Sequence, residues 1–302
     1  MPDSHYRGRF APSPTGPLHA GSMLAALGSW LLARQAGGEW LVRIEDLDPP
    51  REVAGAATGQ LRTLAAFGLR HDGEIAFQSR RGHLYREALN RLLAHGLAFE
   101  CHCSRNDLIA SGGIHRRCVA TAPRADPAIR LRVADGCEVA FDDAVHGRII
   151  QRVDRDVGDF VLQRADGPWA YQLAVVVDDA AQDITDVVRG ADLLDSTARQ
   201  ILLQRALGLP TPHYAHLPLL LGDDGRKLSK SGAALPVDAS QPMPGLRLLW
   251  DCLGQSPLPA DAMRSTTHFL DAAIAGFRLD RVPRCALPLS AAVHNTNATP
   301  RA

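Results

Sequence analysis

The spacing of apolar and polar residues predicts that the chain begins with an alternation of strands and helices. A short apolar strand at residues 10–11 precedes a helix that starts near His19, carries apolar residues every three or four positions and ends at Gly37-Gly38. The β-rich run 40–44 follows, and the helical period then returns over residues 61–67 and 84–93. Strand, helix, strand and helix in this order predict a parallel sheet.

From about residue 128 onwards, the pattern of apolar and polar residues changes twice. Between residues 128 and 162 the runs become short and alternating, which predicts a small antiparallel β unit with strands at 129–133, 137–141, 147–153 and 160–162. After the apolar run 171–177, longer elements return, including a helix that is capped by Ser196 and ends at Gly208. Strands are predicted at 184–189 and 214–221, and C-terminal helices at 246–253 and 259–275.

Charge and cysteine content narrow the class of protein. The chain carries 33 basic and 33 acidic side chains, so a nucleic-acid partner would need a local basic surface. Arginines at 80–81, 105, 116–117 and 124–132 are the candidates. The polar N-terminus lacks a signal-peptide core, and the most apolar predicted helix, residues 23–33, is too short to span a bilayer. We therefore expect a soluble, cytoplasmic protein without a membrane partner. Six unevenly spaced Cys argue against a disulfide framework.

Two short segments carry residues suited to phosphate chemistry. Residues 9–22, RFAPSPTGPLHAGS, lead from a strand end into a helix N-terminus with His19, Gly21 and Ser22. Unpaired N–H groups, a residue without a side chain and an imidazole at one point favour an anion site. Residues 225–232, GRKLSKSG, place Lys227 and Lys230 in a Gly-flanked segment. Each pattern by itself is also typical of an ordinary loop.

Together, HAGS and KLSKS resemble HIGH and KMSKS, the two signature motifs of class I aminoacyl-tRNA synthetases. RFAPSPTGPLH at 9–19, RIEDLD at 43–48 and DVVRGADLL at 186–194 are similar to glutamyl-tRNA synthetases in particular. The resemblance covers residues 8–231. It implies an α/β fold with a Rossmann-type parallel-sheet catalytic core, L-glutamate and ATP with Mg²⁺ as substrates, and tRNA as the acceptor.

The resemblance also assigns site residues. Attack of a carboxylate on the α-phosphate of ATP needs charge neutralisation more than covalent help, and His19, Lys227 and Lys230 match that catalytic role. ATP binding is assigned to His19, Gly21, Ser22, Lys227, Ser229 and Lys230. The glutamate pocket is assigned to Arg9, Phe10, Ala11, Pro12, Ser13, Glu45, Tyr171 and Arg189. Arg9 and Arg189 suit the two carboxylates of glutamate, and Glu45 suits its α-ammonium group. Which arginine binds which carboxylate is left open.

The length of the C-terminal part indicates which members of this family the chain resembles. About seventy residues follow Ser231, of which 290–302 are expected to be disordered, and we expect no anticodon-binding domain among them. Such a chain is similar to the truncated glutamyl-tRNA synthetase paralogues that attach glutamate to the base queuosine of tRNA(Asp). The implied partner is the tRNA(Asp) anticodon stem-loop with queuosine, and we expect the protein to be a monomer.

Residues 101–118 hold a candidate metal site. Cys101 and Cys103 are followed by His115 and Cys118, a donor set of the structural zinc type, although the spacing departs from the common C-x-x-C pattern. The resemblance implies one structural Zn²⁺ per chain here, bound in the family by three Cys and a Tyr, with His115 near the Tyr position. His102 is the competing fourth ligand. The remaining cysteines, Cys137, Cys252 and Cys285, are expected to be structural.

The expected order of parts is a first half of the catalytic core (1–98), a zinc-binding and small β insertion (99–170), the second half with the lysine segment (171–235), a helical stub (236–289) and the tail. Two other functions fit parts of the pattern. One is a truncated glutamyl-tRNA synthetase that charges tRNA(Glu), and the other a non-tRNA nucleotidyltransferase of the same superfamily, which would not need the glutamate pocket. The intact His19, Lys227 and Lys230 argue against an inactive tRNA-binding protein.

Overall fold

A computed structural model describes residues 5–222 and 237–288, which form twelve β-strands and eight α-helices. The strands are β1 (Arg7–Phe10), β2 (Glu39–Ile44), β3 (Ala76–Phe77), β4 (Ala98–Cys101), β5 (Ala128–Leu131), β6 (Glu138–Asp143), β7 (Gly147–Arg152), β8 (Phe160–Gln163), β9 (Asp186–Gly190), β10 (His213–Leu217), β11 (Leu220–Leu221) and β12 (Leu287–Pro288). The helices are α1 (Ala20–Gln35), α2 (Ala56–Ala66), α3 (Gly82–Ala94), α4 (Val153–Asp156), α5 (Tyr171–Ala181), α6 (Leu194–Leu207), α7 (Pro242–Cys252) and α8 (Thr266–Gly276).

The largest sheet is mostly parallel and lies at the centre of the fold. Its seven strands follow the order β3-β2-β1-β9-β10-β6-β7. Neighbouring strands run parallel except for β6 and β7, which form an antiparallel hairpin at one edge. From β1 the sheet extends through β2 and β3 on one side and through β9 and β10 on the other. Open α/β sheets bind ligands at such a switch point, beyond the carboxyl ends of the strands.

Helices cover both faces of the central sheet. Along β9 and β10, Val188 and Leu217 enter one core, whereas Val187 and Tyr214 enter another, because successive side chains of a strand point to opposite faces. The first core also contains apolar residues of α1, α2, α7 and α8. The second contains residues of α6, which packs with α3 and α5 in a third cluster. The α/β class and the parallel sheet predicted from the sequence are confirmed.

The small β unit predicted for residues 128–162 is divided between two sheets. β5 and β8 join β4 in a three-stranded antiparallel sheet. β6 and β7 instead extend the central sheet through a pairing of Asp143 with Tyr214. The predicted grouping is therefore wrong although its four strands are present, because alternation along a strand does not specify its partner strand. The five-part domain division stays a prediction.

Three element boundaries differ from the sequence prediction for local reasons. The strand predicted at 214–221 is two strands, since Pro218 has no N–H to donate and interrupts the ladder. α6 begins at Leu194, so Ser196 lies in its first turn and is not the cap. The last predicted helix is divided into a 3₁₀ turn and α8, where Ser265 is the N-cap and accepts from the N–H of His268.

Other expectations concern single residues and segments. Cys252 is buried and Cys137 packs against a core, as predicted, whereas Cys285 is exposed and so is not a structural residue of the interior. Within the described part of the chain, no helix combines the length and apolar character needed to cross a bilayer. The tail 290–302 and the lysine segment 225–232 lie outside the described residues.

The turn between α1 and β2 passes close to β1. Gly37 has a φ of +62°, which L side chains adopt only with strain. A Cβ atom at Gly38 would lie 2.2 Å from the carbonyl oxygen of Tyr6. That oxygen accepts a hydrogen bond of 2.9 Å from the N–H of Glu39, which extends the pairing of β1 with β2. The two strands therefore meet in register only if residue 38 lacks a side chain.

The Gly38→Ala variant should lose about 3 kcal/mol of unfolding free energy, because its methyl group overlaps backbone atoms that cannot move independently. Gly37→Ala is the matched control, since it adds the same methyl group where nothing lies within 4 Å. Only the left-handed backbone is strained there, at about 1 kcal/mol. Urea denaturation measures both. Equal losses for the two variants would contradict the close approach to Tyr6.

Candidate active site

The first turn of α1 and the segment before it form the centre of the site. β1 ends at Phe10, and residues 11–18 lead to His19, which is the N-cap of α1. The backbone N–H of Ser22 donates to Nδ1 of His19 at 3.3 Å, and its hydroxyl lies 3.1 Å from Nε2. A Cβ atom at Gly21 would come within 3.2 Å of the imidazole. The ring is thus held against a helix N-terminus, where N–H groups favour an anion.

A cavity of about 560 Å³ opens beside this helix N-terminus. It lies beyond the carboxyl ends of β1, β2 and β9, at the switch point of the sheet. Its walls contain every residue that the sequence assigned to glutamate: Arg9, Phe10, Ala11, Pro12, Ser13, Glu45, Tyr171 and Arg189. His19, Gly21 and Ser22 of the predicted ATP set line the same cavity. The fold therefore brings together residues from three distant parts of the chain.

The remaining residues of the predicted ATP set are not placed by the structure. Lys227, Ser229 and Lys230 lie in the segment 223–236, outside the described residues. Leu219 and Leu220, which lie a few residues before that segment in the sequence, line the cavity.

Buried charges lie behind the cavity wall at Arg9. Nε and Nη2 of Arg9 donate to the two carboxylate oxygens of Asp179 at 3.1 and 3.3 Å. Nη2 of Arg43, a fully buried residue, lies 2.8 Å from the same carboxylate. Burial by itself would raise the pKa of Asp179, but Arg9 and Arg43 outweigh it and lower the pKa. The carboxylate is therefore ionised and holds Arg9 in one orientation.

Glu45 follows β2 directly, and only 11% of its side chain is exposed. Its Oε1 atom is 3.7 Å from Nη2 of Arg43 and makes no hydrogen bond to the described residues. Burial raises the pKa of Glu45 to about 7, because the attraction of Arg43 and Arg9 only partly offsets the loss of solvent. A cationic group placed beside Oε1 would stabilise the ionised form.

Arg189, in β9, also has an atom that lacks a hydrogen-bond partner among the described residues. Its Nε donates to His216 at 3.0 Å, and its Nη2 donates to the hydroxyl of Thr197 at 3.0 Å and to the carbonyl of Leu193 at 3.3 Å. Nη1 is buried and has no hydrogen-bond partner within residues 5–222 and 237–288. Leaving such a donor unpaired is costly, and an anion bound in the cavity would supply the missing acceptor.

Sequence reasoning missed the acids that support this site. Asp178 and Asp179 follow the apolar run of α5. The two acids are visible in the sequence, but the residues they pair with are not. Asp179 reaches Arg9, which is 170 residues away in the chain. Asp178 accepts from Arg81 at 2.5 Å and from Tyr85 at 2.7 Å. Arg81 was a candidate for nucleic-acid contact, and the structure instead pairs it with a buried carboxylate.

A second candidate site lies between β4 and β5. Ligand atoms of Cys101, Cys103, His115 and Cys118 all lie within 4.8 Å of one another. Nε2 of His115 is 3.3 Å from Sγ of Cys101, and its Nδ1 donates to Asp159 at 2.8 Å. A carboxylate that binds the far nitrogen of a histidine is typical of metal sites, because it leaves the near nitrogen unprotonated. Three thiols and this imidazole fit a tetrahedral site for a metal such as zinc.

The competing ligand His102 has a different partner. Its Nδ1 accepts from the backbone N–H of Arg124 at 2.9 Å. Burial, together with the neighbouring Cys101 and Cys103, raises the pKa of Cys118 to about 11. Three thiols this close ionise together only when a cation joins them, so the cluster is chemically suited to a metal.

The family model for the catalytic domain of class I tRNA synthetases specific for Glu and Gln matches residues 5–126 and 114–242. The chain therefore belongs to the class I aminoacyl-tRNA synthetases and is a ligase of that type. The class of enzyme predicted from the two motifs is confirmed.

The chain is similar to relatives named glutamyl-Q tRNA(Asp) synthetase. That of Xanthomonas campestris pv. campestris (strain 8004) is 63% identical over 281 residues, which cover 93% of this chain and 94% of the relative. That of Neisseria meningitidis serogroup C is 50% identical over 294 residues, covering 93% and 99%. A crystal structure of a glutamate tRNA ligase from Elizabethkingia meningosepticum in complex with its amino acid superposes with a TM-score of 0.79 at 27% identity. That comparison covers 95% of this chain and 68% of the ligase.

Proposed function

We propose that this chain activates L-glutamate with ATP and transfers it to the queuosine base of tRNA(Asp). The relatives named for this reaction support the proposal, at 50–63% identity over more than nine tenths of the chain. The observation that carries it is that Arg189 and Glu45 line one cavity, and that Nη1 of the first and Oε1 of the second make no hydrogen bond to the described residues. Glutamate can supply both partners: a carboxylate for the guanidinium of Arg189 and the α-ammonium group for the carboxylate of Glu45.

In this proposal the two arginines bind the two carboxylates of glutamate. Arg9 is held by Asp179, and Arg189 presents Nη1, so each guanidinium is oriented before the ligand arrives. Glu45 binds the α-ammonium group, and Tyr171 lines the cavity at the N-terminus of α5. Nε and Nη2 of each guanidinium are already engaged, so Nη1 is the nitrogen that supplies a charge-assisted hydrogen bond to a carboxylate.

ATP lies along the N-terminus of α1, with its phosphates against the backbone N–H groups and His19. The α-carboxylate of glutamate attacks the α-phosphorus of ATP. The bond between that phosphorus and the oxygen bridging to the β-phosphate breaks, and pyrophosphate leaves. Lys227 and Lys230 neutralise the charge that develops on the phosphates, Ser229 contributes to ATP binding, and Mg²⁺ accompanies ATP. Gly21 leaves room for both the imidazole and the phosphates, since any side chain there would press on the ring.

Zn²⁺ is the metal that Cys101, Cys103, His115 and Cys118 would hold. When bound, it supplies a structural crosslink, because four protein ligands leave no position for a reacting water. Asp159 fixes the imidazole through Nδ1, and its backbone N–H donates to the carbonyl of His115 at 2.7 Å. The zinc-binding segment is thereby attached to the turn that precedes β8.

The arginines of the insertion support contact with RNA. Arg105, Arg124, Arg130 and Arg164 line a groove of about 640 Å³ beside Cys103. Asp166 pairs with Arg164 there, so the other three arginines are the better phosphate ligands. Nε of Arg130 is buried and unpartnered within the described ranges. In the proposal this groove and the helices from Leu246 onwards hold the anticodon stem-loop, and a hydroxyl of the queuosine cyclopentene ring attacks the adenylate to form an ester.

Lowering the pH should weaken glutamate binding through Glu45. The pKa of Glu45 is raised to about 7, so the carboxylate that binds the ammonium group is lost by protonation as the pH falls through 7. From pH 8 to pH 6 we expect the Kd of glutamate, measured by calorimetry without ATP, to rise about tenfold. Glu45→Gln is the control, with weak binding at pH 8 that does not change down to pH 6. A pH-independent Kd for the unmodified chain would contradict this role.

We expect one tightly bound Zn²⁺ per chain after purification without chelators. Cys118→Ser should lose it, and Asp159→Asn should weaken its affinity by about 10- to 100-fold because the imidazole is no longer oriented. Cys137→Ser is the matched control, since Cys137 lies outside the cluster, and it should retain the metal. Metal analysis with a competing chromophoric chelator measures all three. Absence of zinc from the unmodified protein would refute the site.

Transfer of glutamate should depend on queuosine. With radioactive glutamate and ATP, we expect label on tRNA(Asp) that carries queuosine and on its isolated anticodon stem-loop, and none on tRNA(Asp) without the modified base. Label should decline steeply with salt, because phosphate contacts release counterions. Stable glutamate on the 3′-terminal adenosine of tRNA(Glu), with none on the queuosine stem-loop, would support a truncated glutamyl-tRNA synthetase instead.

A further inference from the structure

A buried chain of three side chains ends at the guanidinium of Arg189. We propose that Asp143 and His216 are a positioning pair that fixes this guanidinium with Nη1 directed to the ligand. The inference rests on the proposed function of the cavity. Neither residue lines the cavity, so both act through Arg189 and do not touch a substrate.

The hydrogen-bond pattern determines the tautomer of His216. Its ring is fully buried, with Nε2 at 3.0 Å from Nε of Arg189 and Nδ1 at 2.6 Å from Oδ2 of Asp143. A guanidinium can only donate, so Nε2 must accept, and the single proton of a neutral imidazole is therefore on Nδ1 and is donated to Asp143.

The two oxygens of Asp143 have different roles. Oδ1 accepts from the backbone N–H groups of Val145, His146 and His216, at 3.0, 2.9 and 3.3 Å. Oδ2 is left for the imidazole alone among these contacts. Because three N–H groups point at Oδ1, the carboxylate cannot rotate without losing all three, and its orientation is fixed by the turn after β6 and by β10.

Burial also keeps the imidazole neutral. It lowers the pKa of His216, an effect that the hydrogen bond to Asp143 opposes and the charge of Arg189 reinforces. A neutral ring can accept from Arg189 without repelling it. Thr197 and Leu193 bind Nη2, so Nε and Nη2 are both engaged. Nη1 makes no hydrogen bond within the described ranges and is available to a carboxylate.

Asp143→Asn reverses the tautomer with almost no change in volume. The amide oxygen must occupy the Oδ1 position to keep its three N–H partners, which places the NH₂ group against Nδ1 of His216. Nδ1 must then accept, and the proton moves to Nε2, where it faces the Nε–H of Arg189. We expect the KM for glutamate in ATP–pyrophosphate exchange to rise about tenfold or more, and the KM for ATP to stay within about twofold.

Asp142→Asn is the matched control. Asp142 is the adjacent residue of β6, exposed and paired with Arg148 at the surface, and its change should leave both KM values unaltered. The urea midpoint of each variant separates loss of folding from loss of positioning.

A second pair of variants tests the contact between His216 and Arg189. His216→Gln can place an amide oxygen near the Nε2 position, whereas His216→Asn reaches only Asp143. The Gln variant should bind glutamate several-fold better than the Asn variant.

Long-range ¹H–¹⁵N spectra of labelled imidazole report the tautomer without reference to activity. We expect the Nδ1–H form in the unmodified protein and the Nε2–H form in Asp143→Asn. An Nε2–H form in the unmodified protein, or an unchanged KM for glutamate in Asp143→Asn, would overturn the positioning pair. An unmodified protein that shows the Nδ1–H form but no glutamate-dependent exchange would overturn the proposed function, and with it a role for the pair in binding glutamate.

Discussion

The buried ion pair between Arg9 and Asp179 is the interaction on which the site depends. It joins the first strand of the sheet to a helix that lies 170 residues later, and its arginine lines the cavity. Removing one partner of such a pair leaves an uncompensated charge and costs about 3–5 kcal/mol. Arg43 also pairs with the carboxylate of Asp179 and lies close to Glu45. Asp179 therefore helps to fix both Arg9 and, through Arg43, the surroundings of Glu45, the proposed ammonium site.

Two polar groups in the cavity walls suit the cavity to a ligand with charges of both signs. Most buried polar groups in proteins are satisfied, whereas Nη1 of Arg189 and Oε1 of Glu45 make no hydrogen bond within residues 5–222 and 237–288, so both atoms are available to a ligand with an anionic and a cationic group. The acid that orients Arg189, Asp143, belongs to the β6–β7 hairpin. The hairpin therefore serves the site although it extends the edge of the sheet.

Local patterns made part of this structure predictable. The turn before α1 is encoded in consecutive Pro and Gly residues, and Cys101, Cys103, His115 and Cys118 lie close enough in sequence for their spacing to predict a cluster. Partners that are distant in the chain were not predictable. Asp143 has no local feature that identifies His216 as its partner, and the alternating runs of β5 to β8 do not reveal which strands pair.

Glutamate-dependent exchange of labelled pyrophosphate into ATP, measured without tRNA, tests most directly whether this cavity activates glutamate. Aspartate and glutamine are the comparison substrates, since one has a shorter side chain and the other lacks the second carboxylate. The account predicts exchange with glutamate and at least about a hundredfold less with either analogue, because buried guanidinium groups left without a carboxylate are costly. Equal exchange with glutamine or aspartate, or no exchange with glutamate, would contradict it.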